Sequence, residues 1–268
     1  MTTAQSASLV EALQPAHWPT LVVVGGRFIG LMLAAPLWSM TGVPRSVRGA
    51  LVILYTLSVL PAVTEARLAS DFPGFVGPLA TELMLGLAIG LTAAVFMAGI
   101  GMAGEVASIQ MGLNLGPALS GMQEAPVAGI GELKSMLAMV VYVTLGGHLV
   151  LLQGMARSLQ VIPPGGAIDM VQGGRAATML AGTLFTTAIR VAAPIIVALL
   201  LANLGIAILA RAVPQLNSMA VAFPITIGLG FLAFGAALPF VGTFLAQWVG
   251  TLPGTVAGTI GTFVPLGH

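Results

Sequence analysis

Between residues 179 and 210 the chain carries one ionisable side chain, Arg190, in an otherwise apolar run of Ala, Leu, Ile and Val. Runs nearly as poor in charge fill residues 19–40, 47–63, 79–103, 135–153 and 220–249. Charged residues make up 6% of the 268, against about 25% in an average soluble domain. A chain this apolar cannot present a water-compatible surface and is expected to be an integral membrane protein. Its length has room for about six spans of roughly 20 residues, in a single membrane domain over residues 1–268. The expected fold class is all-α, a polytopic membrane protein with bent helices and helical hairpins.

The same numbers exclude other classes. There is no cysteine, so disulfide, thiolate and Cys-metal chemistry are absent. A net charge of +1 argues against nucleic acid as a partner. The first twenty residues lack a basic stretch and are interrupted by Glu11 and Pro15; the first span, rather than a cleaved signal peptide, is expected to direct insertion. Membrane lipid is the expected surrounding.

Several residues stand out along the chain. Arg27 lies deep in the first run, too far from either end to reach water comfortably. Glu82 is expected in the first turn of a helix starting near Leu79, where a carboxylate favours the helix dipole. Glycines four apart recur at Gly26/Gly30, Gly86/Gly90 and Gly250/Gly254/Gly258, a spacing that permits close helix approach. Residues 157–175 read as a loop around Pro163-Pro164-Gly165-Gly166. Residues 179–210 exceed one untilted span, and Pro194 suggests a kinked or hairpin-like pair. Residues 250–268 read as a Gly/Thr/Pro-rich tail.

Residues 104–134 read as a long connector, neither apolar enough to span nor charged enough for an ordinary solvated loop. They contain six glycines and two prolines, with Gln110, Asn114 and Gln123 among the polar groups. One reading is a flexible connector; the other is a lid or plug that packs in a channel.

Catalytic motifs are lacking. No nucleophile elbow, zinc-protease helix or carboxylate pair within a span is present, and the Gly99/Gly101/Gly104 spacing lies in an apolar helix without a preceding strand. No catalytic, cofactor-binding or metal-binding residue is expected, and no cofactor. His148 alone has no second ligand at helical spacing and suits packing better than metal binding. Arg27 and Arg190 are the wrong sign for a usual ion-coupling site. They suit pairing with acidic residues on partner subunits, or segments outside lipid.

Gly104-Glu105 followed by Gln110-Met111-Gly112 resembles a signature of the FliR family of type III export proteins. Asn203-Leu204-Gly205, then Arg211 to Asn217 containing Pro214-Gln215-Leu216, then Phe223-Pro224, resemble its second signature, with Ala222 where glycine is usual. Gly146-Gly147-His148 is also similar to a family pattern. The likeness runs from about Trp18 to Gln247, and residues 221–227 are closer to the flagellar than to the virulence branch. It implies a subunit of a helical export-gate complex in the bacterial inner membrane, at the flagellar basal body. The implied partners are two smaller membrane proteins (P- and Q-type subunits), the B-type export protein, and unfolded export substrates. It places a channel plug within about residues 110–122: Gln110, Met111, Gly112, Leu113, Asn114, Leu115, Gly116 and Met122. Arg27, Glu105, Arg190, Arg211, Pro214, Gln215 and Asn217 are then structural or partner-contact residues. Alternatives are a virulence-type export-gate subunit or a stand-alone small-molecule exporter. A weaker third reading is an enzyme using Glu105 and His148.

Overall fold

The computed structural model describes residues 18–40, 42–63, 72–112, 130–212 and 218–265. Among them regular structure is entirely helical: α1 (Trp18–Ala34), α2 (Pro36–Ser39), α3 (Arg45–Val59), a 3₁₀ turn (Leu60–Ala62), α4 (Phe72–Gln110), α5 (Ile130–Thr144), α6 (Gly147–Val161), α7 (Met170–Ala212) and α8 (Ser218–Thr262). Proline and glycine set most of the breaks. Ala35 is extended because it precedes Pro36, which then opens α2 at its first turn. Pro61 turns the chain after α3. Gly146, at φ +74°, separates α5 from α6, a conformation that favours glycine. The Asp169 carboxylate caps α7, accepting from the Val171 and Gln172 N–H groups at 3.0 and 2.9 Å.

Helices α4, α7 and α8 extend well past their apolar runs, while α1 and α3 fall short of theirs. Among the described residues three helices are long and apolar enough to cross a membrane, or four if the broken α5/α6 pair counts as one span. Residues expected as loop have become helix at the ends of these long elements. The chain stays helical through Pro194, so residues 179–210 are neither a hairpin nor a pair. The expected loop at 157–175 shrinks to the residues between α6 and α7, and most of the expected tail is the end of α8. Helix α4 starts seven residues before Leu79, with Pro78 inside it. Pro78, the seventh residue of α4, lies past the first turn and costs the helix one intrahelical hydrogen bond. Glu82 is therefore eleven residues into α4 rather than in its first turn.

The chain forms two compact units: residues 1–95, 146–181 and 249–268, and residues 96–145 and 182–248. In the first, two glycine motifs meet. A Cβ on Gly30 would overlap the Leu83 carbonyl and the Leu87 amide, and one on Gly86 would overlap the Arg27 carbonyl. Helices α1 and α4 thus run parallel with their backbones in contact, as small-residue spacing allows. Phe28 of α1 stacks on Tyr55 of α3 at 5.8 Å. The second unit is held by aromatic and aliphatic packing. Phe96 and Trp248 stack with ring centroids 3.8 Å apart and planes nearly parallel, with Phe244 and Tyr142 against them. Ala107, Met111, Ile195, Leu199, Phe234 and Ala237 form one buried cluster.

Candidate functional site

The first unit holds a buried polar network. Arg27 is fully buried and Glu82 is 1% exposed. The Arg27 Nε donates to Glu82 Oε2 at 2.5 Å and Nη2 to Oε1 at 2.9 Å, a two-point fork that fixes both side chains. Arg27 Nη1 donates to Ser158 Oγ, and Nη2 to the Ile162 carbonyl, each at 3.0 Å. Ser158 in turn donates to the Met155 carbonyl at 2.7 Å. The Gly165 amide donates to Glu82 Oε1 at 3.1 Å. One ion pair therefore ties α1, α4, the end of α6 and the Pro-Pro-Gly-Gly turn together.

Of the two roles left open for Arg27, structural or partner-contact, its pairing with Glu82 of the same chain fits the structural one. The pairing was within reach of the sequence. Arg27 adjoins Gly26, and Glu82 lies one helical turn before Gly86. Two glycine motifs that face each other bring these neighbours to the same level. Ser158 and Gly165 carried no signal of their own.

The root of the expected plug lies in the second unit. Residues 104–110 are the last two turns of α4, and Ile130 to Lys134 already belong to α5, so the non-helical connector is shorter than 104–134. Gln110 is half-buried at the helix end. Met111 is fully buried, its side chain pressed against Gly230, where a Cβ would collide with it. The Met111 amide bonds the Ala107 carbonyl and the Gly112 amide the Ile109 carbonyl, both at 3.0 Å. Gly112, at φ +74°, ends the helix in the left-handed conformation that suits glycine. Met111 is thus a core side chain at the base of the connector. Leu113, Asn114, Leu115, Gly116 and Met122 lie outside the described residues.

Glu105 and Arg190 are exposed on α4 and α7, and Arg211 is exposed at the end of α7. Pro214, Gln215 and Asn217 lie outside the described residues. His148 is half-buried in α6, with Nδ1 unpartnered among the described residues. No group of three His, Cys, Asp or Glu among the described residues is placed to hold a metal. A recess of about 240 Å³ in the first unit is lined by Met84, Leu87, Leu91, Met170, Leu180 and Phe263 among others. With no charged group it suits an apolar chain rather than a phosphate-bearing cofactor.

Residues 18–252 match the family described as Bacterial export proteins, family 1. The chain belongs to that family. It is similar to the flagellar biosynthetic protein FliR of Escherichia coli K12, at 27% identity over 231 residues and 85% of each chain. It is equally similar to the FliR protein of Pectobacterium carotovorum, at 27% over 244 residues, covering 91% of this chain and 92% of the relative. The FliR protein of Bacillus subtilis is 29% identical over 154 residues, 56% of this chain and 60% of that one. The FliR resemblance read from the Gln-Met-Gly and Pro-Gln-Leu-Asn motifs is confirmed. Its apolar helices make this export-family member a multi-pass membrane protein.

Proposed function

We propose that this chain is a subunit of the flagellar type III protein export gate, forming and closing the channel for unfolded flagellar substrates in the bacterial inner membrane. Membership of the export family and the flagellar names of its relatives support the system. The observation that carries the gate reading is helix length. Helices α4, α7 and α8 have 39, 43 and 45 residues. At about 1.5 Å per residue they run about 58 to 68 Å, roughly twice a hydrocarbon core of about 30 Å. Tilts of up to about 40° absorb only part of that excess. Apolar helices this long need protein cover beyond what lipid supplies, which suits a subunit surrounded by the P- and Q-type membrane proteins.

In this reading the connector after Gly112 is the closing element. Met111, fixed in the core, holds its base, while Leu113 to Met122 provide a compliant seal of small, amide and methionine side chains. The test is made in the chain's own flagellated bacterium. Deleting its gene should abolish filaments and secretion of filament protein, and the wild-type gene should restore both. Restoring instead a chain that lacks residues 113–121 should make the membrane leaky to small solutes. Normal filaments in the deletion strain would refute the flagellar assignment; an unleaky membrane around a correctly assembled shortened chain would refute the plug.

A further inference from the structure

Helices α6 and α8 meet along a shallow groove in the first unit. Gly154 seats Val256 so closely that a Cβ there would collide with its side chain. Beside that contact a recess of about 120 Å³ opens between the two helices. Its α8 wall is apolar, with Val256, Ala257 and Ile260; its α6 wall carries Val150, Gln153 and Arg157. Steps of three and four residues put those three on one stripe of α6, while Leu151, Met155 and Leu159 are buried in the core. Gln153 and Arg157 are exposed, and among the described residues neither side chain has a hydrogen bond or an ion pair. No acidic residue lines the recess. The two described carboxylate side chains of this unit are committed elsewhere: Glu82 to Arg27 and the Gly165 amide, Asp169 to the cap of α7.

We propose that this groove holds an anionic phospholipid. The lipid phosphate sits on Arg157, with Gln153 one turn away as a second donor. The first methylenes of an acyl chain lie along Val150, Val256 and Ile260. A guanidinium presents a planar fork that matches a phosphate. Helices α5 and α6 together are apolar enough to form one bent span ending at Val161. Arg157 lies four residues from that end, where a long basic side chain reaches headgroups. A basic residue beside an apolar groove between membrane helices is the arrangement that binds anionic headgroups. Two features decide against other occupants. A recess of this volume is far too small for a helix of about 10 Å diameter, so it takes a single hydrocarbon chain. With no acid in its lining, it offers nothing to the ammonium of a zwitterionic headgroup. The other recess of the unit, lined by Met84 and Phe263, has no charged group and gives a lipid phosphate no anchor.

The full chain, with whatever proteins accompany it, is purified from its own membranes and delipidated by detergent exchange. It is then given mixed micelles of phosphatidylglycerol or of phosphatidylcholine with the same acyl chains. Mass measurement of the intact particle counts retained lipid, and thermal unfolding reports stabilisation. Phosphatidylglycerol should be retained in preference. Arg157→Gln should lower its retention at one site about fivefold, the worth of a single basic residue at an anionic lipid. Arg157→Lys should keep most of it. Ala257→Leu, which fills the groove from an exposed position on α8 and leaves the charge, should lower retention to a similar degree. Arg175→Gln, at an exposed arginine outside the groove, should change nothing. Unfolding without added lipid shows whether each variant folds; if Ala257→Leu does not, Ala257→Met takes its place. Equal retention of the two lipids overturns the inference, as does wild-type retention in Arg157→Gln or in the groove-filling variant. So does an equal loss in Arg175→Gln, which would mark general surface attraction. Stabilisation by inorganic phosphate alone, with no lipid retained, would make Arg157 a plain anion site and overturns it too.

Discussion

The two compact units handle charge in opposite ways. The first buries Arg27 and Glu82 against each other and satisfies them with Ser158, the Ile162 carbonyl and the Gly165 amide. The second builds its core from Phe96, Tyr142, Phe244, Trp248 and the Met111 cluster, and leaves Glu105 and Arg190 exposed. An arginine within an apolar helix is costly in either place. Where the counter-charge is internal, the arginine specifies the fold of the chain. Arg190 has no ion pair among the described residues. Arginines that look alike in the sequence thus sit in different surroundings.

Removing one member of the internal pair should have the largest effect. Arg27→Leu leaves Glu82 buried without its partner and should cost about 3–5 kcal/mol, whereas Arg27→Leu with Glu82→Leu should recover most of the loss. Unfolding in detergent micelles measures both, and a double variant no more stable than the single one would break the comparison. Next in size, Met111→Ala should destabilise the second unit by about 2–4 kcal/mol through the cavity left beside Phe234 and Leu199. If Met111 were a free loop residue, the same change would be silent. Gly86→Ala should cost about 1–3 kcal/mol, because its methyl group must displace the backbone of α1. Gly254→Ala, open on its helix face, should be neutral or slightly stabilising, since alanine is the better helix former. Equal effects at the two glycines would remove the close α1–α4 contact from the account.

The membrane character, the all-helical class and the export family were legible because charge poverty, apolar runs and the motifs at residues 110–112 and 214–217 are local in the sequence. Helix ends were less so. A start near Leu79 was expected, yet α4 begins at Phe72 and contains Pro73 and Pro78, which puts Glu82 in the helix interior. Gly99, Gly101 and Gly104 obscured how far α4 continues. Gly99 instead lets Leu184 and Thr187 approach, and the helix carries Met111 into the core. The Arg27–Glu82 pair spans 55 residues; only the register of two glycine motifs could have joined its halves. Two of the three glycine motifs are used within the chain, while Gly250, Gly254 and Gly258 are open, a distinction that spacing alone does not make.

We propose that this chain works as one subunit of a hetero-oligomeric export gate. The most direct test is co-expression with the P- and Q-type membrane proteins of the same genome, followed by mass measurement of the intact particle in detergent. The expected result is a large particle holding one copy of this chain and several of each partner. A stable monomer or homodimer, recovered free of both partners, would contradict it.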